Sequence, residues 1–430
     1  MALAAAALPL LAARTASAET IPAGSTVTLG GDRVDDVYDI AGTILVPAYN
    51  PNVSNTGYLH LRANTITVQT TGVVSATGAG FGYTVSSGGQ GVGTTPAPTA
   101  ANEPGGGGSH TGLGGTGFQF AAGQPCIPFP AGPGLVYDAT ALAPAALVAP
   151  LTGLGSAGGG SNTVNNPAVQ PGGAGGGVII LEAAVVVIDG QVRAEGRSPA
   201  PVLGTGAGGG AGGTIVIRSN GLTLGAAATI SARGAAGAIG NSLGGAGGGG
   251  RVLLQAQNEP TLLDRVEASG GDPIGAPNQS GCTSTGGSAG LEELDPLPGC
   301  LDVDGDGHGS SQCAGDDCDD SDPAVSPDAN EICNDIDDDC NGSTDDQLSG
   351  APRLCAEGSV CQAGACVPVG DGGPPPVDAA VGEAPELALR GGLCSSGLPG
   401  ATAAGRGLIA FGALGLAIAG ATALRRRRRR

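Results

Sequence analysis

The stretch "DVDGDGHGSSQCAGDDCDD", residues 302–320, sets Asp302, Asp304 and Asp306 at alternate positions and follows them with Asp316, Asp317, Asp319 and Asp320. Carboxylates at that density repel one another unless a cation lies among them. Ca²⁺ takes about six to eight hard oxygen ligands, and short Asp side chains at alternate loop positions supply them. With Gly307 behind them, Asp302, Asp304 and Asp306 reproduce the first half of an EF-hand loop. The second half departs from it: Cys313 stands where the bidentate Glu belongs, so the set must be completed by later carboxylates such as Asp316, Asp317, Asp319, Asp320 or Asp322.

A second cluster of the same chemistry follows, with Asp335, Asp337, Asp338 and Asp339 beside Asn341, Asp345 and Asp346. Together the clusters predict about one to three ions. Residues 291–350 hold half of the chain's acidic residues and no Lys or Arg. The competing reading is an acidic disordered spacer, since charge runs are usually solvated. Cysteines at regular intervals speak against it, because a spacer needs no staples. Zinc fits less well: Cys313 and Cys318, and Cys333 and Cys340, miss the usual pair spacing, and the surroundings offer oxygen rather than sulfur or imidazole.

The elements around these loops have to be exported ones. Eleven cysteines read as disulfides, which form outside the reducing cytosol. Residues 1–18 end in Ala-Ser-Ala after an apolar run and read as a secretory signal. At the other end, "GLIAFGALGLAIAGATAL" (407–424) is long enough for a transmembrane helix, and the arginine block 425–430 is its stop-transfer flank. A net charge of -20 argues against a nucleic-acid partner.

Upstream, the chain repeats. "GYLHLRANTITVQTTGVVSATG" (57–78), "GVIILEAAVVVIDGQVRAEG" (177–196), "GTIVIRSNGLTLGAAATISARG" (213–234) and a looser "GRVLLQAQNEPTLLDRVEASGG" (250–271) align with one another. Apolar residues alternate with period two: Leu59, Leu61, Ile66, Val68; Ile179, Leu181, Val186, Ile188; Ile215, Ile217, Leu222, Leu224. That pattern predicts half-buried strands, two or three per copy, separated by short corners. Copies with so few large side chains must stack, so the expected fold is mainly β, a glycine-rich right-handed parallel β-helix or solenoid over 19–275. The alternative is an antiparallel β-sandwich. Glycine-rich runs such as 204–213 are expected as loops between coils, and 79–176 as a mobile surface insertion.

Parallel β-helices often carry carbohydrate-active enzymes, which makes catalysis a competing reading. Histidines are scarce: His60 alternates with Leu59 and Leu61 and should point outward, His110 lies in a glycine run, and His308 lies in the acidic stretch. Asp189, Glu182 and Glu195 could form a carboxylate set, yet the third copy holds Gly225, Arg218 and Arg233 at the equivalent positions, which reads as a solvated face. No catalytic residue is assigned.

The run "DVDGDGHG" with "DDCDDSDPAVSPDANEICNDIDDDCNGSTDD" resembles the MopE-type metal-binding repeat of myxobacterial surface proteins, and its disulfide-tied loops resemble thrombospondin type 3 repeats. Cys394, the spacer after it, the apolar segment and the arginine block resemble the MYXO-CTERM sorting domain. The second resemblance implies processing near Cys394, lipidation there, and delivery to the outer surface. The MopE-type name is tied to copper, but copper prefers imidazole or sulfur, so Ca²⁺ is the expected ion.

The organisation expected is thus a signal peptide (1–18), solenoid (19–275), acidic Cys-rich metal module (296–348), small disulfide knot (349–370), Pro/Gly-rich stalk (371–393) and sorting tail (394–430). Its metal ligands would be Asp302, Asp304, Asp306, Asp316, Asp317, Asp319, Asp320, Asp322, Asp335, Asp337 and Asp339. The function expected is that of an exported, surface-anchored structural or adhesive protein of the outer membrane. Its partners would be divalent ions, the membrane, and extracellular polysaccharide or a neighbouring cell surface. A polysaccharide-active enzyme and a copper-binding protein are the alternatives.

Overall fold

The computed structural model describes residues 18–84, 88–89, 103–119, 126–128, 136, 153–163, 166–200, 206–240, 242–257, 263–276, 282–297, 299–313, 315–346 and 353–369. Residues 1–370 group into one compact unit. The expected stalk, Cys394, the 407–424 span and the 425–430 block lie outside the described residues, as does the expected signal peptide up to residue 17. Among the described residues, no helix is long and apolar enough to cross a membrane.

Two parallel sheets carry the repeats. In the first, Ala18–Ile21, Val37–Ile40, Tyr58–Val68, Val178–Ile188, Thr214–Leu224, Arg251–Ala256 and Leu291–Pro296 lie side by side in that order, and Gly31–Val34 also pairs with Tyr58–Val68. In the second, Thr26–Thr28, Thr43–Leu45, Val73–Ser75, Gln191–Arg193, Thr229–Ser231 and Val266–Glu267 follow the same succession. Every pairing in both sheets is parallel, as stacked coils require and an antiparallel sandwich does not allow. Ile179 is level with Leu59 on one side and Ile215 on the other, so equivalent residues of successive copies stack.

The core lies between the sheets. Leu59, Leu61, Ile66, Val68, Ile179, Leu181, Val186 and Ile188 meet Ile44, Val74, Val192 and Ile230 there, all fully buried. Each such side chain removed from water is worth about 2 kcal/mol. Each of the first three copies gives two strands parted by a short corner, as expected, and the 11-residue strand of each also carries a break in alternation. Inward positions run 59, 61, 63, then 66 and 68, and the pairing register skips Asn64, Ala184 and Asn220.

The glycine-rich runs are not loops. Residues 206–213 are buried and extended, and their hydrogen bonds turn through neighbours with a period of three. The amides of Gly208, Gly209, Gly210, Ala211, Gly212 and Gly213 donate in turn to the carbonyls of Gly159, Gly245, Arg197, Ser156, Gly248 and Ala194. The carbonyls of Gly206 and Gly209 accept from Gly105 and Gly108, those of Ala207 and Gly210 from Ala238 and Ala235, and those of Gly208 and Ala211 from Gly173 and Gly176. One chain is therefore surrounded by six others, the arrangement open to a three-fold polyproline-II-like chain whose backbone groups all point outward. None of these central glycines has positive φ, so conformational freedom is not why they are glycine. They are glycine because the space of a Cβ is taken: one built on Gly208 would strike the Gly106 carbonyl, and one on Gly210 the Ala174 carbonyl.

This corrects the expectation of inter-coil loops and, for the described residues of 79–176, that of a mobile surface insertion. The described insertion residues 104–110 and 153–160 are buried members of the bundle. Buried backbone is stable only when each amide and carbonyl finds a partner, and chains this close supply one. The Cys126–Cys282 disulfide ties the same insertion to the far side of the repeat region.

Candidate metal centre

The loop Leu301–His308 alternates in what it faces. The Leu301 amide donates to Asn220 Oδ1 (2.8 Å), and the Val303 carbonyl accepts from Arg62 Nη1 (3.4 Å), so Leu301 and Val303 meet the outer face of the first sheet while Gly305 and Gly307 are exposed. Leu297, Leu301 and Val303 form a small apolar cluster at this junction. Asn64 Nδ2 donates to Asp319 Oδ1 at 2.5 Å, and Gln257 Nε2 to the Gly299 carbonyl at 2.7 Å. Asn64 and Asn220 are the residues at which the strand alternation breaks. The break aims their side chains outward at the module.

Even positions face the other way. Asp302, Asp304 and Asp306 each bring a carboxylate oxygen within 4.8 Å of the others, and Asp304, Asp317 and Asp320 do the same. The turn is set by these side chains: Asp302 Oδ1 accepts from the Gly305 amide (2.6 Å), Asp304 Oδ1 from Asp306 (3.2 Å) and Asp306 Oδ1 from His308 (2.8 Å). Gly305 and Gly307 take φ of 85° and 103°, a region closed to most L residues. Asp320 Oδ1 accepts from the Val303 amide (2.9 Å) and Asp317 Oδ1 from Asp319 (2.8 Å). The second oxygens of Asp304, Asp306, Asp317 and Asp320 are buried with no hydrogen-bond partner, and Asp317 and Asp320 are each only 1% exposed.

Burial, with neighbouring Asp charges adding to it, pushes Asp304 and Asp320 up to about 7 and Asp317 up to about 6. Buried, partnerless carboxylate oxygens are costly, and a cation among them removes the cost.

A second cluster joins Glu331, Asp337 and Asp339, again with one oxygen each within 4.8 Å. Glu331 Oε1 accepts from the Asp339 amide (3.0 Å), while Oε2 is buried without a partner. Burial raises the Glu331 carboxyl above its ordinary value. Asp337 takes the amides of Asn341 (3.1 Å) and Gly342 (2.8 Å).

Of the expected ligands, Asp302, Asp304, Asp306, Asp317 and Asp320 are brought together around the first site, and Asp337 and Asp339 at the second. Asp316 faces His308 Nδ1 (3.0 Å), Asp319 is turned to Asn64 and Ser321, and Asp322 caps the turn at Ala324 (3.1 Å). The amide of Asp335, at φ 67°, donates to Asp345, outside both clusters. Asp338 is buried and accepts from Ile332 (2.9 Å) and Asn334 (3.0 Å). Glu331 was missed by spacing alone; a Glu six positions ahead of Asp337 is its only sequence mark.

Disulfides Cys300–Cys313, Cys318–Cys340, Cys333–Cys361 and Cys355–Cys366 staple the region. Cys333–Cys361 crosses from the acidic module into the 349–370 knot, so the two share a covalent tie.

The candidate set Asp189, Glu182 and Glu195 does not assemble among the described residues. Glu182 meets Arg218 Nη1 (2.6 Å) and His60 Nε2 (3.0 Å), whose Nδ1 meets Asp32 (2.9 Å), while Glu195 accepts from Ser231 (2.7 Å). His60 does lie on the outer face, but it is nearly covered. The sign change between copies is a ladder, Arg62, Glu182, Arg218, across adjacent strands. Burial draws the Glu182 carboxyl upward, but the His60 hydrogen bond and the Arg218 and Arg62 charges outweigh it and hold it below its ordinary value. Glu182→Ala should cost about 2 kcal/mol or more by stranding these partners, measured by chemical denaturation.

Residues 317–346 match the model of the Cu-binding MopE family, described as a "Putative metal-binding motif". No curated protein and no solved structure matches the chain.

Proposed function

We propose that the chain is an exported, surface-anchored structural or adhesive protein whose disulfide-stapled module binds Ca²⁺ and, when loaded, holds a stiff joint between the stacked coils and the segment that follows. The observation that carries this reading is the convergence of buried, partnerless carboxylate oxygens from Asp304, Asp306, Asp317 and Asp320. Hard oxygen donors suit Ca²⁺, and flexible loops accommodate its coordination number. The ion draws Asp302, Asp304 and Asp306 together, which keeps Leu301 and Val303 in register on Asn220 and Arg62.

Copper is the second reading, favoured by the family name matched at 317–346. Soft or imidazole donors are what it would need. Such donors are few here: the described cysteines between 300 and 366 are paired in disulfides, and His308 faces Asp316 and Asp328. Export through the 1–18 signal, processing and lipidation at Cys394, the 407–424 span with its arginine flank, and contact with extracellular polysaccharide or a neighbouring cell belong to the same proposal. A polysaccharide-active enzyme is the remaining alternative, and it would require a catalytic set on a sheet face.

Isothermal titration of the full chain, disulfides intact, with Ca²⁺, Mg²⁺, Zn²⁺ and copper tests it. Ca²⁺ binding with weaker or no copper binding is expected. Copper binding in preference to Ca²⁺ transfers the module to the second reading, and no binding by any ion removes the metal function.

A further inference from the structure

Two of the acidic triads share a residue. Asp302, Asp304 and Asp306 form one, Asp304, Asp317 and Asp320 the other, and in each the donor atoms lie within 4.8 Å of one another, the span that opposed ligands of a single Ca²⁺ occupy. Asp304 alone belongs to both. Its Oδ1 lies over the loop, accepting from the Asp306 amide at 3.2 Å, and its Oδ2 is buried without a partner.

We propose that the first site holds two cations rather than one, with Asp304 as the carboxylate that bridges them. This rests on the cation-binding reading above and adds the ion count and the arrangement of ligands. Asp302 and Asp306 complete the more exposed position, and Asp317 and Asp320 the buried one.

The charge argues for it as well as the geometry. Five carboxylates bring five negative charges into one region, two of them on side chains 1% exposed. A single divalent ion would leave about three of those charges uncompensated, and buried uncompensated charge is strongly unfavourable. Two divalent ions leave about one, which the Gly305, Gly307, Asp306, His308, Asp319 and Val303 amides already solvate. Asp317 and Asp320 are the independent sign of the inner ion: each is buried, each has one oxygen with no partner, and both are aimed at Asp304. A bridging carboxylate also accounts for Asp304 belonging to both triads while its Oδ2 has no hydrogen-bond partner.

The test is ion counting by native mass spectrometry of the full chain with disulfides intact, titrated with Ca²⁺. A Glu331→Gln background silences the second cluster. On that background two ions are expected, with Asp302→Asn removing one, Asp320→Asn removing the other, and Asp304→Asn weakening both by at least tenfold. A single ion that Asp302→Asn and Asp320→Asn each abolish overturns the bridged pair while leaving the cation-binding reading intact. Two ions that survive Asp304→Asn overturn the bridge. No ion bound by the unsubstituted chain defeats the cation reading itself. Circular dichroism of each variant, dominated by the stacked strands, separates ligand loss from unfolding. Should Asp304→Asn unfold, the milder Asp302→Asn and Asp320→Asn pair still decides the count.

Discussion

Gly208→Val is expected to destabilise the protein by at least about 3 kcal/mol, a larger loss than any single core truncation of a Val to Ala would give. The new Cβ and its methyls would meet the Gly106 carbonyl, itself held within the bundle, so no flexible side chain can move aside. Relief would require chain 206–213 to separate from its neighbours, breaking hydrogen bonds such as Gly208 to Gly159 and Gly173 to Gly208 together, both 2.9 Å. At roughly 2–4 °C per kcal/mol for a domain of this size, the melting temperature should fall by about 10 °C, read by circular dichroism. Gly82→Ala is the control, because nothing lies within 4 Å of a Cβ there and its φ is ordinary; it should stay within about 0.5 kcal/mol of the parent. A Gly208→Val protein that melts with the parent would mean that the glycine chains are not packed against one another.

Removing the cation should loosen the module without melting the coils, and the size of the effect should depend on pH. Asp304 and Asp320 near 7 and Asp317 near 6 lie above the carboxylate's ordinary value of about 4. The folded module therefore binds more protons than the unfolded one over that interval. Its stability in the absence of metal is highest below about pH 4, falls as the pH rises through about 7, and is not recovered above that. A cation takes the deprotonated form, so its affinity climbs over the same window and the chelated and loaded states diverge most at about pH 8.

Hydrogen exchange of the 301–320 amides, with and without chelator at pH 5 and pH 8, reads this directly. Exchange at Leu301 and Val303 should rise strongly on chelation at pH 8 and little at pH 5, while Ile179 and Ile215 in the sheet stay protected. Equal protection in all four conditions would show that the carboxylates need no ion.

Much of the architecture can be read along the chain. Period-two alternation from Leu59 to Val68 marks half-buried strands, and its recurrence at Ile179 and Ile215 marks repeated copies, because side chains of a strand face opposite sides by turns whatever surrounds them; that the copies pair in parallel was settled only by the fold. The Asp302, Asp304, Asp306 spacing marks a turn of converging carboxylates for the same local reason, since alternate short side chains gather on one side of a loop. Both patterns lie within a few residues and need no partner to be recognised. The 317–346 metal motif was legible in the same way.

What tertiary structure alone decided involves residues that are distant in the chain. Asp317 and Asp320 join Asp304 while Asp316, Asp319 and Asp322 do not, and Glu331 replaces Asp335 in the second cluster. A run of aspartates looks uniform in sequence, and only the folded turns choose which carboxylates point inward. Asn64 and Asn220 face the module because of a break in alternation whose partner lies 81 residues from Asn220, at Leu301. The glycine runs carry no side-chain pattern at all. Lacking a Cβ, they read as loops one at a time, and become a packed interior only when six other chains arrive to take up their amides and carbonyls.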